Sequence, residues 1–163
     1  MNFIATGLPA CFLYLAAAGL QWWGLKHESQ RRQTLVNAMG AVAVGLHGIT
    51  AWMELVTPDG VNMSIYVMGS VTSFGITLLA MGSSLRRPIS DLFIGLFPLA
   101  AITLALSMFA EGNYTPRPDL TLGIYSHIIL SILAYSLLTI AAFQAGFLTY
   151  LDYELRHKNL SMV

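Results

Sequence analysis

His47 and His127 stand in membrane-length apolar runs, where an ionisable group costs free energy that packing alone rarely requires. A neutral imidazole in such a place can ligate a metal or haem iron, carry a proton, or hydrogen-bond across helices. His47 lies in the stretch from Met39 to Glu54, with small residues at Gly40, Ala43, Gly45 and Gly48. Small residues let another helix, or a flat cofactor, approach the backbone closely. Glu54 follows His47 by seven residues, so both project from nearly the same helix face about two turns apart. His127 opens a second row, with Ser131, Tyr135 and Thr139 at four-residue spacing, which makes a polar stripe along one face. Residue type alone leaves a plainer alternative open for each: an interhelical hydrogen bond at His47, and a hydroxyl on the next turn at His127.

Other chemistries find little support. The chain has no glycine-rich phosphate loop, no metal-binding pair of cysteines and no His-Glu-x-x-His run. No Ser, His and carboxylate arrangement suggests an activated nucleophile, so the chain is not expected to be an enzyme. Met53, Met63 and Met68 flank one connector, and methionine can ligate haem iron, but residues so spaced more often pack. The single cysteine, Cys11, cannot form an intrachain disulfide and is expected to pack as a small hydrophobe.

The elements that must position these residues follow from composition. With 56% hydrophobic and only 10% charged residues, the chain is far from the roughly 25% charged share of soluble domains. Its mean hydropathy of +0.66 agrees, and the class is integral membrane protein. The formal net charge of zero argues against nucleic acid as a partner; lipid is the expected surround. Apolar segments run at about 3–24, 34–56, 62–83, 89–110 and 121–149. Each is long enough to cross as a helix, and alternation of a membrane barrel is absent. The expected fold is an all-α polytopic membrane helix bundle of about five transmembrane helices, in a single domain over residues 1–163. Met1 to Gly7 carries no basic residue ahead of the apolar stretch, which continues to Trp22 and Trp23, longer than a signal peptide's. Leu8 to Cys11 resembles a lipoprotein cleavage site only loosely, because the apolar run follows the cysteine. The segment is read as a retained first span.

Turn chemistry marks the connectors: Pro58-Asp59-Gly60, then Arg87-Pro88, then Pro116 through Asp119. Ser90 with Asp91, and Asp119 ahead of Leu120, look like helix starts, and Pro98 should kink the fourth span. Lys26, Arg31 and Arg32, Arg86 and Arg87, and Arg156 and Lys158 fall on one side, leaving only Arg117 on the other. The positive-inside rule then places the N-terminus outside and the C-terminus in the cytoplasm. Asp152 with Arg156, and Glu154 with Lys158, are pairs four apart that predict a solvated stem after the fifth span. Trp22, Trp23, Tyr150 and Tyr153 sit where interfacial aromatics anchor a bundle.

Two blocks carry a family resemblance. The first runs from His127 through Ala134, Tyr135 and Ser136 into Tyr150 to Leu155; the second joins His47 through Trp52 to Asn62–Tyr66 and Ser70–Phe74. Together they resemble the CcsA/HemX cytochrome c assembly family of haem-handling membrane proteins, and within it the YpjD-type proteins of the bacterial inner membrane. The likeness covers most of the chain. It implies that His127 ligates haem near the outer face and that His47 ligates haem inside the bundle; beside such ligands, Glu54 and Tyr135 are expected to tune or orient the site. It also implies haem as cofactor, haem-transfer or cytochrome-assembly partners, and a second axial histidine from a later part of the chain. The tryptophan-rich external haem motif of the assembly proteins is absent, as in HemX-like and YpjD-like relatives. Because such relatives continue with further spans, the resemblance implies a fragment, or a short form completed by a partner such as a second copy of itself. The alternative from another class is a structural or regulatory subunit that docks a larger transporter or assembly complex without binding haem.

Overall fold

The computed structural model describes residues 3–24, 29–85, 90–110, 117–118 and 120–157. Five helices among them are long and apolar enough to cross a membrane. Helix α1 is Phe3–Gly24, α2 is Gln30–Leu55, α3 is Ile65–Ser84, α4 is Phe93–Phe109 and α5 is Leu122–His157. Lys26, Arg86, Arg87, Pro88, Pro116, Asp119 and Lys158 lie outside the described residues, and with them the expected Glu154–Lys158 pair. The Asp152–Arg156 pair is present at 2.9 Å on the end of α5.

Helices α1 to α4 close a ring, with α1 against α2 and α4, and α3 against α2 and α4. Helix α5 stands outside it, packed on α3 and on the 3-10 turn Ser90–Leu92 that leads into α4. The ring is held by interlocked small and aromatic side chains. Ala17, Ala43, Ala80 and Ala100 are fully buried between helices, beside Tyr14, Phe93, Leu96 and Phe97. Phe93 and Phe97 stack with centroids 4.6 Å apart, and Phe97 also meets Tyr14 at 5.2 Å. The glycines of α2 serve the same end: a Cβ at Gly40 would come within 2.8 Å of the Phe97 ring, and one at Gly48 within 2.9 Å of Phe74. Close approach of this kind is what drives helix association where lipid is as apolar as the side chains. Large apolar residues such as Phe12, Leu78 and Leu106 accordingly point outward.

Helix α4 runs unbroken through Pro98, and α1 through Pro9. A chain surrounded by hydrocarbon has no water to take up a released carbonyl, which favours keeping the remaining helical bonds. Ser90 and Asp91 do not cap α4 directly. They form the 3-10 turn, and the Asp91 carboxylate accepts instead from Gln21 Nε2 at 3.1 Å. Cys11 packs as expected against the core, its sulfur 3.5 Å from the Ala101 carbonyl.

At the other end, the Pro58-Asp59 turn closes a two-stranded hairpin, β1 Val56–Thr57 against β2 Gly60–Val61, with Val56 opposite Val61. Gly60 has a φ of +126°, and a Cβ there would lie 2.8 Å from the Arg117 carbonyl oxygen, so two independent reasons require glycine. A bridge from Val61 to Arg117 ties this hairpin to the segment that enters α5. The α2 C-terminus and the α5 N-terminus, and hence Glu54 and His127, are thereby gathered at one end of the bundle.

Candidate functional site

His47 is fully buried, and both of its ring nitrogens are engaged. Nδ1 is 3.2 Å from the Tyr14 hydroxyl of α1, and Nε2 is 3.0 Å from the Ser70 hydroxyl of α3. Tyr14 reaches on to Thr77 at 3.2 Å, and Thr77 donates to the carbonyls of Ser73 and Phe74 at 3.1 and 3.0 Å. One assignment gives every hydrogen an acceptor: Thr77 donates to backbone, Tyr14 to Thr77, His47 Nδ1–H to Tyr14, and Ser70 to Nε2. That places the imidazole proton on Nδ1 by hydrogen-bond bookkeeping. Tyr14 and Phe74 close on the ring edge-to-face at 5.8 and 5.7 Å. The arrangement joins α1, α2 and α3 through one side chain, the interhelical role open to His47 from the start.

Glu54 shares the inward face of α2 with His47 and Thr50, all three buried. It does not bond to His47. Thr50 stands between them and is bonded to Thr6 at 2.8 Å, while both Glu54 carboxylate oxygens lack a partner among the described residues. The partners that hold His47 are therefore Tyr14, Ser70 and, behind them, Thr77. A sequence signal for them existed: a lone tyrosine mid-span in α1, and Ser70, Ser73 and Thr77 on one face of α3 at spacings of three and four.

His127 is exposed and makes no hydrogen bond among the described residues. Its row does not face the bundle. Tyr135 is 62% exposed and Ser131 and Thr139 are half-buried, with Thr139 donating to its own Tyr135 carbonyl at 2.8 Å. Among the inward contacts of α5, beside Ile132, Ile140 and Phe143, is Ser136, one residue off that row. It is fully buried, donates to the Thr72 carbonyl at 3.3 Å and sits on Gly75 of α3. No hydrogen bond or ring contact joins the two histidines.

These surroundings fit a haem ligand differently at the two positions. His127 has both nitrogens open and stands on a face that no described helix covers. His47 does not fit in this packing, since an iron could take a ring nitrogen only by displacing Ser70 or Tyr14 from a closed set of side chains.

Over 140 residues, 83% of its length, the chain is 34% identical to the inner membrane protein YpjD of Escherichia coli K12, and equally to that of strains O6:H1 and O157:H7. That stretch is 52% of their length, so the chain spans about half of the curated relatives it matches. No family model matches the chain, which leaves the wider CcsA/HemX resemblance resting on the two histidine blocks. No solved structure matches it. Five membrane-length apolar helices together with this likeness make the chain a multi-pass inner-membrane protein.

Proposed function

We propose that the chain is a haem-positioning membrane protein, related in role to cytochrome c assembly factors, that offers His127 as its axial ligand. The observation that carries this reading is the open imidazole of His127 near the start of α5, on a face without a neighbour. It lies five residues in, about 8 Å along the axis from the helix start. With the N-terminus outside and the C-terminus in the cytoplasm, that end of the bundle faces outward. When bound, haem would supply iron for ligand exchange, and the chain makes or breaks no covalent bond. His127 holds one side of it, and Tyr135, two turns along the same face, can orient its edge. The second axial ligand comes from outside the described residues, on a further helix, an assembly partner or a second copy of the chain. His47 serves to hold α1, α2 and α3 together. Ligation by His47 would require its ring to give up Ser70 or Tyr14.

The visible spectrum of the protein purified in mild detergent, as isolated and after haem addition, tests both histidines. A low-spin band that His127→Ala abolishes and His47→Ala keeps is the expected result. Loss only in His47→Ala would move the ligand into the bundle. A second reading, a structural or regulatory subunit, is favoured by the complete satisfaction of His47 and the uncovered face of α5; it predicts no band in any folded variant.

A further inference from the structure

Where α1 ends, α4 begins and the second half of α5 passes, the surface holds a groove of roughly 640 Å³. That volume is within the range of small-molecule sites. None of its lining residues is His47, Glu54, His127 or Tyr135, so it is separate from the haem reading. Its wall is apolar, formed by Leu92, Gly95, Phe143 and Gly146, and the space beside Gly146 is open. From Ala142 to Tyr150 the α5 wall extends about 12 Å.

The groove has one polar end. Asp91 lines it, and no Lys, Arg or His pairs with Asp91 among the described residues. Gln21, only 6% exposed, spends its Nε2 on Asp91 at 3.1 Å, and its Oε1 is buried without a partner among the described residues. The polar end is thus the Asp91 carboxylate, which accepts one N–H from Gln21 and keeps lone pairs for a donor from the groove, with the buried Gln21 Oε1 behind it. Trp22 and Tyr150 flank it, both well exposed, as aromatic rings at headgroup depth are. A group with several donors and no acceptor matches this end, and a primary ammonium has three. An apolar trough leading from it along a membrane helix matches a hydrocarbon chain.

We propose that this groove binds a membrane phospholipid with a primary-ammonium headgroup, the ammonium at Asp91 and one acyl chain along α5 from Tyr150 to Ala142. Trp22 reports directly on occupancy. The full chain, with Trp23→Phe and Trp52→Phe to leave Trp22 alone, is placed in phosphatidylcholine vesicles. These contain a minor, equal share of acyl-brominated phosphatidylethanolamine or phosphatidylglycerol. The expected result is several-fold stronger quenching of Trp22 by the ethanolamine lipid. Asp91→Asn should bring that quenching down to the glycerol level, and Gly146→Leu should reduce it by filling the trough. Equal quenching by both headgroups, which marks ordinary annular lipid, overturns the proposal. So does quenching by neither, which marks a face covered by protein, and so does a headgroup preference that survives Asp91→Asn. Should Asp91→Asn lose its helical circular dichroism, Asp91→Glu must keep the preference and Gly146→Leu must lose it; any other result overturns the proposal.

Discussion

Ser70 and Tyr14 compete with any ligand for the ring of His47, and that competition assigns the two histidines different work. Removing the imidazole leaves two buried hydroxyls short of a partner and a void between three helices. His47→Ala should therefore destabilise the protein by about 2–4 kcal/mol. His127→Ala, on an exposed face, should change stability by no more than about 0.5 kcal/mol. Reversible unfolding in detergent checks both, and equal effects would mean that the Tyr14–His47–Ser70 bonds contribute nothing to the fold. The position of His47 in an apolar span was evident in the residues. Its saturation was not, because Tyr14 is 33 residues before it and Ser70 is 23 after it, and nothing local to His47 names either one.

The hairpin that follows α2 is the element on which the end of the bundle depends. Pro58, Asp59 and Gly60 were recognisable as a turn because proline and glycine punctuate an apolar pattern for backbone reasons that operate locally. The bridge to Arg117, which gives Gly60 its second constraint, is a long-range contact and left no mark in the turn itself. Gly60→Val should cost about 1–3 kcal/mol, from a positive φ and collision with the Arg117 backbone. Gly82→Ala, in α3 with open space around it, should be neutral or stabilise by up to about 1 kcal/mol. Thermal unfolding of the two variants in the same detergent provides the comparison. A Gly60→Val protein as stable as the parent would remove the hairpin from the account of how α5 is tethered. The start of α4 was less legible. Asp91 could cap its own helix or bond Gln21, and the choice belongs to the neighbouring helix.

At the scale of the molecule, four of the five helices among the described residues close on one another and the fifth leans on α3 with most of its surface uncovered. Orientation belongs to this scale, since it is set by the summed cation bias of the connectors. With Cys11→Ser as background, Asp59→Cys should react with a membrane-impermeant maleimide on intact cells, and Ser29→Cys only after permeabilisation. The reverse pattern would put His127 at the cytoplasmic side and sink the outward-facing haem reading.

The residues by themselves determined the class, the number of membrane-length helices among the described residues and the Pro58–Gly60 turn, because hydropathy, length and turn chemistry act within a single segment. Which face of each helix turned inward was decided only by the tertiary structure. Lipid is as apolar as a leucine side chain, so hydrophobic periodicity does not separate inside from outside here as it does in water. Inward faces were chosen by matched small residues and hydroxyls on helices distant in sequence. That choice enclosed His47 among α1, α2 and α3 and left His127 on the open side of α5.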